Sequence, residues 1–291
     1  SLALYIGLSC NSFTDFSDTV MAAQGNPYDV GVIYPPLCYL LCKIMGGMIP
    51  GFKDFQDTMA LRDSQMGRMV YTYFVVLCVL VVFFVIVKFC KYDNLYKICL
   101  SLVIVLSVPF LSTVDRGNFL LLCTVCVIVF VAFYDSENKF AKELALICLA
   151  CAAAMKLYPA LFGLLLLSDK KYKEAVRAVI YGIVLLVVPF FFMGGVGQIP
   201  QMLKNSLTLN NNTLSGSTGF GYGFKVNATS SIGSIFDWLF AKNYTVYIKM
   251  LVYFFVVLLL VGSLFIKKKW KRIAAISLVV ILMPDFSFIY N

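Results

Sequence analysis

The sequence predicts an all-α protein that crosses a membrane several times, and three observations carry this. First, 61% of its 291 residues are hydrophobic and the mean hydropathy is +0.87, whereas a soluble domain is about 45–50% apolar. Second, charged residues are 13% of the chain, against about 25% in soluble proteins. Third, the charges gather between apolar runs, several of which approach the roughly 20 residues that a membrane-crossing helix needs. The chain reads as one unit over 1–291, opening at Ser1 and closing at Asn291 beside apolar runs, as a piece cut at both ends would.

The elements follow in order. An exiting helix is predicted at 1–9, followed by an external segment 10–68. Within it, 35–49 is apolar but too short to span, and reads as an interfacial helix. Spans are predicted at about 69–89, 94–112, 118–134, 176–193, 246–266 and 272–284. The stretch 141–168 is apolar but interrupted by Lys156-Leu-Tyr-Pro159. Proline cannot continue an ordinary helix and disfavours helix at the residue before it. A single kinked span and a re-entrant hairpin both fit that break. Charge selects the hairpin. The loops 88–97, 135–142, 169–177 and 267–272 hold 14 of the 24 basic residues. Short basic loops face the cytoplasm, and all four do so only if 141–168 enters and leaves on one side. Lys156 and Tyr158 then lie near the hairpin tip.

That topology sends the remaining polar segments to the opposite, external face: 10–68, the turn around Asp115-Arg-Gly-Asn118, the hairpin tip and the loop 194–245. The last is rich in Asn, Gly, Ser and Thr and reads as a flexible cover or an ordered loop over the active face. It includes N-x-S/T patterns at Asn211, Asn227 and Asn243.

Several function classes recede on composition. The net charge of +9 comes from basic residues that set topology, so no nucleic acid partner is expected. All ten cysteines precede residue 152, and Cys123-x-x-Cys126 and Cys148-x-x-Cys151 have metal-like spacing. Their neighbours are Leu, Val, Ile and Ala, and the chain has no histidine, so they read as small apolar packing residues. No metal and no cofactor is expected.

The chemistry-bearing residues cluster on the external side. Asp15 abuts the outer end of the first span, where a carboxylate can take a proton from a hydroxyl; Asp18, three residues on, shares a face with it if the stretch is helical and reads as a helix cap or a solvated interface charge. Tyr28 and Tyr34, in the turn sequences Gly25-Asn-Pro-Tyr28 and Tyr34-Pro-Pro36, can stack on or hydrogen-bond a sugar. Arg116, beside Asn118, presents a guanidinium suited to a phosphate. Lys156, with Tyr158, adds a second cation, and two cations would hold a leaving phosphate. This set suits transfer from a phosphate-linked, lipid-borne donor.

The order Asp15-Phe16, Gly25-Asn-Pro-Tyr28, Tyr34-Pro-Pro36 resembles the first external loop of the GT-C glycosyltransferases of family 87, which are polyprenol-phosphate-mannose-dependent alpha-mannosyltransferases. Arg116-Gly-Asn118, Lys156-Leu-Tyr-Pro159 and the terminal Pro284-x-x-Ser287-Phe288 look like later motifs of that family. The resemblance implies a GT-C helical bundle, an external catalytic Asp15 acting as base with Asp18 as auxiliary, and sugar transfer with inversion. It implies donor-phosphate contacts at Arg116 and Lys156, and substrate contacts at Tyr28, Tyr34, Asn118, Tyr158 and Ser287. The partners are then a polyprenyl-phosphate sugar, a glycan or glycolipid acceptor and membrane lipid, at a cell inner membrane with the active face external. Two departures stand out. Relatives often carry Trp and His in the last motif, where this chain has Phe288 and Tyr290, and family members usually continue through further helices. A transporter or flippase of lipid-linked sugar is the alternative. Transporters place polar groups at the bilayer midplane, whereas the long spans here carry almost none. A non-catalytic scaffold for envelope assembly is a third possibility.

Overall fold

The computed structural model describes residues 12–89, 92–214, 228–240 and 245–282. Among these the chain is helical, with short 3-10 turns and no strand. The predicted exiting helix at 1–9 and the terminal motif at 284–291 lie outside the described residues.

The segment 10–68, predicted as an external loop with one interfacial helix, folds into three helices: α1 (Thr14–Ala22), α2 (Pro36–Gly47) and α3 (Thr58–Asp63). Local capping explains two boundaries. The Asp57 carboxylate accepts the Ala60 N–H at the start of α3 (2.7 Å), satisfying one of the donors a helix start leaves orphaned. Pro36 opens α2, where a missing N–H costs nothing. The three helices close over a core of Phe16, Val20, Tyr28, Tyr39, Leu61 and Tyr71.

Next come α4 (Gln65–Phe89), α5 (Asn94–Val105), α6 (Val108–Arg116), α7 (Leu120–Phe133) and α8 (Lys139–Met155). They are followed by α9 (Leu164–Ser168), α10 (Tyr172–Val187), α11 (Ile199–Leu214), α12 (Ala228–Phe240), α13 (Thr245–Phe265) and α14 (Lys269–Leu282). Among the described residues, three helical stretches are long and apolar enough to cross a membrane: 65–89, 172–192 and 246–265. Each leaves most of its surface outward, with Leu77, Phe84, Ile183, Phe254 and Leu258 all exposed, the pattern of a lipid-facing helix.

The other predicted spans differ in detail. The span expected at 94–112 is two helices bent by 52°, because Pro109 enters at the start of α6 and cannot donate to the preceding turn. The one expected at 118–134 is a helix of 14 residues, about 21 Å at 1.5 Å per residue, while 272–284 is helical throughout its described part, to Leu282. The loop 194–245 is also more ordered than its composition implies, since it holds α11 and α12. Its Asn and Ser content disguised two amphipathic helices.

The re-entrant hairpin is present. α8 ends at Met155, and Lys156 takes an extended backbone (φ −146°, ψ 129°). A 3-10 turn over Tyr158–Gly163 and the short α9 then return the chain. Its two feet meet. Asp135, before α8, pairs with Lys171, after α9, and the Tyr134 hydroxyl donates to Asp169 (2.9 Å). The turn before α14 joins the same place, through Lys269 to Asp135 (3.6 Å) and Arg272 to Asp169 (2.5 Å). The end of α4 joins too: Phe89 packs edge-on against Phe133 at 4.8 Å, with the Lys88 ammonium 5.0 Å from that ring. All four basic loops therefore gather at one pole of the bundle. The amino end of α7 and the hairpin tip lie at the other.

Candidate active site

The site forms where the end of α6 embraces the start of α1. Phe13 sits in the left-handed region (φ 58°), and its N–H donates to the Asp115 carbonyl (2.6 Å). The Ser12 hydroxyl donates to the Asp115 carboxylate (2.7 Å). From behind, the buried Tyr71 hydroxyl donates to the Val114 carbonyl (2.7 Å), satisfying one of the acceptors a helix end leaves open. Phe13, Phe16, Tyr71, Phe74 and Phe119 stack in a chain of ring contacts between 4.7 and 6.3 Å. The turn after Arg116 needs glycine: Gly117 has φ +72°, and a Cβ there would lie 2.7 Å from the Phe16 Cβ.

This framework aims three side chains at one point. Arg116 Nη2 donates to Asp15 Oδ1 (2.5 Å) and Asn118 Nδ2 donates to Asp15 Oδ2 (2.8 Å). Asn118 is 3% exposed, and its carbonyl oxygen accepts the Leu120 N–H (2.9 Å), which fixes the amide with its N–H groups toward the carboxylate. Residues more than 100 positions apart thus form one cluster, and Asp15 stays partly open to solvent (17%).

Tyr34 borders the cluster. Its phenol meets the Asn118 side chain and feels the Asp15 charge; burial, reinforced by that charge, raises its pKa above the ordinary phenol value. Its backbone is held on both sides: the Tyr34 N–H donates to the Tyr39 hydroxyl (3.3 Å) and the Tyr34 carbonyl accepts from the Tyr28 hydroxyl (3.1 Å). Above this turn, the Asn205 amide of α11 donates to the Tyr28 and Val32 carbonyls (2.9 and 3.1 Å).

The hairpin tip completes the set. The Lys156 ammonium lies 5.5 Å from the Tyr34 ring and 5.9 Å from the Tyr158 ring, a cation–π arrangement, and is near enough to Asp15 for a direct charge interaction. Tyr158 also lines an apolar cavity of about 390 Å³ between α6, α7 and α14, walled by Phe110, Leu121, Val127, Phe162 and Ile281. Its hydroxyl is buried and has no hydrogen-bond partner among the described residues.

Asp18 lies one turn along α1 from Asp15. It stands at the surface by area, yet neighbouring atoms crowd its carboxyl. Desolvation raises its pKa above 3.8, the Asp15 charge adds to this, and hydrogen bonding to Thr58 opposes it.

The sequence-predicted residues divide clearly. Asp15, Arg116, Asn118, Tyr34, Lys156 and Tyr158 come together, with Asp18 beside them. Tyr28 does not reach the cluster: it is fully buried between Tyr39 and Phe190 and acts behind Tyr34. Ser287 lies outside the described residues. Tyr71, Gly117, Thr58 and Asn205 escape sequence reading because each works through a partner distant in the chain. The cysteines at 123 and 126 are buried in apolar packing, with those at 148 and 151 against them.

An all-α membrane bundle thus gathers a carboxylate and two cations beside an apolar cavity at one pole, the makings of a membrane-embedded enzyme site. The model of glycosyltransferase family 87 matches residues 33–288. The chain belongs to that family and is a membrane glycosyltransferase. The match covers Tyr34, Arg116, Asn118 and Lys156, while Asp15 and Asp18 precede it. No curated protein and no solved structure matches the chain.

Proposed function

We propose that this glycosyltransferase moves a hexose, mannose in our reading, from a polyprenyl-phosphate donor to a hydroxyl of a glycan or glycolipid. Transfer takes place at the external face of an inner membrane. The observation that supports this best is the convergence of Asp15, Arg116 and Lys156 at the pole opposite the basic loops, beside a cavity whose walls suit an isoprenoid chain.

In this reading the acceptor hydroxyl donates its proton to Asp15 as its oxygen attacks the anomeric carbon. The bond from that carbon to the phosphate oxygen breaks, and its electron pair leaves with the polyprenyl phosphate. One displacement inverts the anomeric centre. Charge grows on the phosphate, where preorganised cations act most strongly. Lys156, held between two rings, is one such cation. Arg116 is the other: a guanidinium has five donors, so the one on Asp15 leaves others for phosphate oxygens. That shared position would bring base and donor into register. The buried Tyr158 hydroxyl, between Lys156 and the cavity, would hydrogen-bond the phosphate where it joins the lipid.

The test supplies purified full-length protein with radiolabelled polyprenyl-phosphate mannose and a glycolipid acceptor. Release of polyprenyl phosphate and an α-linked product from a β-linked donor are expected. Absence of transfer from every polyprenyl-phosphate hexose, with transfer from a nucleotide sugar instead, would overturn the reading.

A further inference from the structure

The pole opposite the active site carries a charge distribution that neither the family nor the proposed reaction explains. The four loops 88–97, 135–142, 169–177 and 267–272 hold 14 Lys and Arg against five acidic residues, Asp93, Asp135, Glu137, Asp169 and Glu174. The excess of nine equals the net charge of the whole chain, +9, so everything outside these loops is balanced. Folding concentrates the excess. Asp135 is taken by Lys171 and Lys269, Asp169 by the buried Arg272, and Glu174 by Arg177. Among the exposed residues left over without an ion pair to a described residue, besides Lys139 and Lys271 and the acids Asp93 and Glu137, are Lys170, Lys173, Lys267 and Lys268 on two neighbouring turns. The ion pairs that join the two turns bring these lysines into one patch.

Helix stability does not account for them. Lys173 lies in the first turn of α10, and Lys267 and Lys268 immediately precede α14. There the helix dipole opposes positive charge. Apolar rings share the same surface: Trp270 is 66% and Tyr172 61% exposed, and the Lys271 ammonium lies 5.5 Å from the Trp270 ring. Exposed Trp and Tyr among lysines is the composition of a headgroup-level surface.

We propose that this patch, built on the turns 169–173 and 266–271, binds the headgroups of acidic phospholipids in the leaflet opposite the active site. Acidic phospholipid phosphates supply the charge that the patch lacks, and the rings insert beside them. The binding is a property of the folded protein, separate from any part these lysines play in setting topology during insertion.

Trp270 reports on it directly. The chain has two tryptophans, so Trp238→Phe leaves Trp270 alone. That protein, purified whole in a neutral detergent, is titrated with brominated phosphatidylglycerol or brominated phosphatidylcholine, and Trp270 quenching is read. Phosphatidylglycerol is expected to quench at a far lower mole fraction, and salt is expected to erase the difference. Replacing one lysine should weaken the preference about fivefold and Lys170→Gln/Lys267→Gln/Lys268→Gln together about a hundredfold. Lys53→Gln, in the segment before α3, should leave it unchanged. Equal quenching by the two lipids, or a preference that survives the triple substitution, would overturn the proposal. So would displacement by inorganic phosphate alone, which would mark a small-anion site. The salt titration needs no variant, so the proposal stays testable if the triple variant does not fold.

Discussion

Asn118 holds Asp15 in place from a fixed amide: its carbonyl oxygen accepts the Leu120 N–H, so its N–H groups face the carboxylate and the neighbouring Tyr34 phenol. The start of α7 thereby orients a residue at the start of α1, 103 positions away. Hydrogen bonds to a charged group contribute about 1.5–3 kcal/mol. Asn118→Ala is expected to lower kcat roughly tenfold to a hundredfold with little change in donor KM. A variant with wild-type kcat would remove Asn118 from the site.

Gly117 sets how closely the two segments approach. Alanine there meets both a left-handed backbone and the Phe16 side chain. Overpacking costs about 1–3 kcal/mol, and the backbone adds about 1–2 kcal/mol. Gly117→Ala should therefore lower the thermal midpoint and reduce transfer together, as read by a melting curve and a radiolabel assay on the same preparation. Loss of activity with an unchanged midpoint would point to a local effect on Arg116 alone.

The crowded Asp18 carboxyl gives a pH signature. Its folded pKa is raised above 3.8, so between 3.8 and the folded value the native state binds more protons than the unfolded chain. Stability therefore falls as pH rises through that window and levels off above it. Asp18→Asn keeps the hydrogen-bonding capacity toward Thr58 and removes the charge. It is expected to flatten that limb of the midpoint-against-pH curve and to leave neutral-pH stability equal or higher. An unchanged slope would assign it to another group.

Much of this arrangement was legible in the sequence. Hydropathy and charge spacing identified a helical membrane protein, and the four basic loops predicted the hairpin that Asp135 and Lys171 now close. Asp15, Arg116 and Lys156 stood out because charged residues next to apolar spans are costly without a role. Span lengths were less legible. Fourteen apolar residues in α7 look the same to a hydropathy window whether lipid or protein surrounds them, and α7 is half buried by its neighbours. Tyr28 misled because an aromatic beside Asn-Pro looks like a sugar platform, while only packing shows it behind Tyr34. Tyr71 gave no signal, since a tyrosine near the end of a span is ordinary.

The basic pole offers a stability test independent of chemistry. Arg272 has 8% of its side chain exposed and bonds both Asp169 and the Ile266 carbonyl. Removing one partner of a buried pair costs about 3–5 kcal/mol, whereas replacing both with apolar groups is often neutral. Arg272→Met alone should destabilise strongly, and Arg272→Met with Asp169→Leu should recover much of the loss. A double variant no better than the single one would show that the Ile266 contact dominates.

The proposed chemistry rests on Asp15 accepting the acceptor's proton, and the direct measurement is sugar transfer by Asp15→Asn with radiolabelled polyprenyl-phosphate mannose. Asparagine preserves the shape beside Arg116 and Asn118 but cannot serve as the base. General-base catalysis contributes about 10²–10⁴-fold, so transfer is expected to fall at least about a hundredfold while protein level, thermal midpoint and donor binding persist. Transfer within a few-fold of the parent protein would contradict the assignment of Asp15 as base.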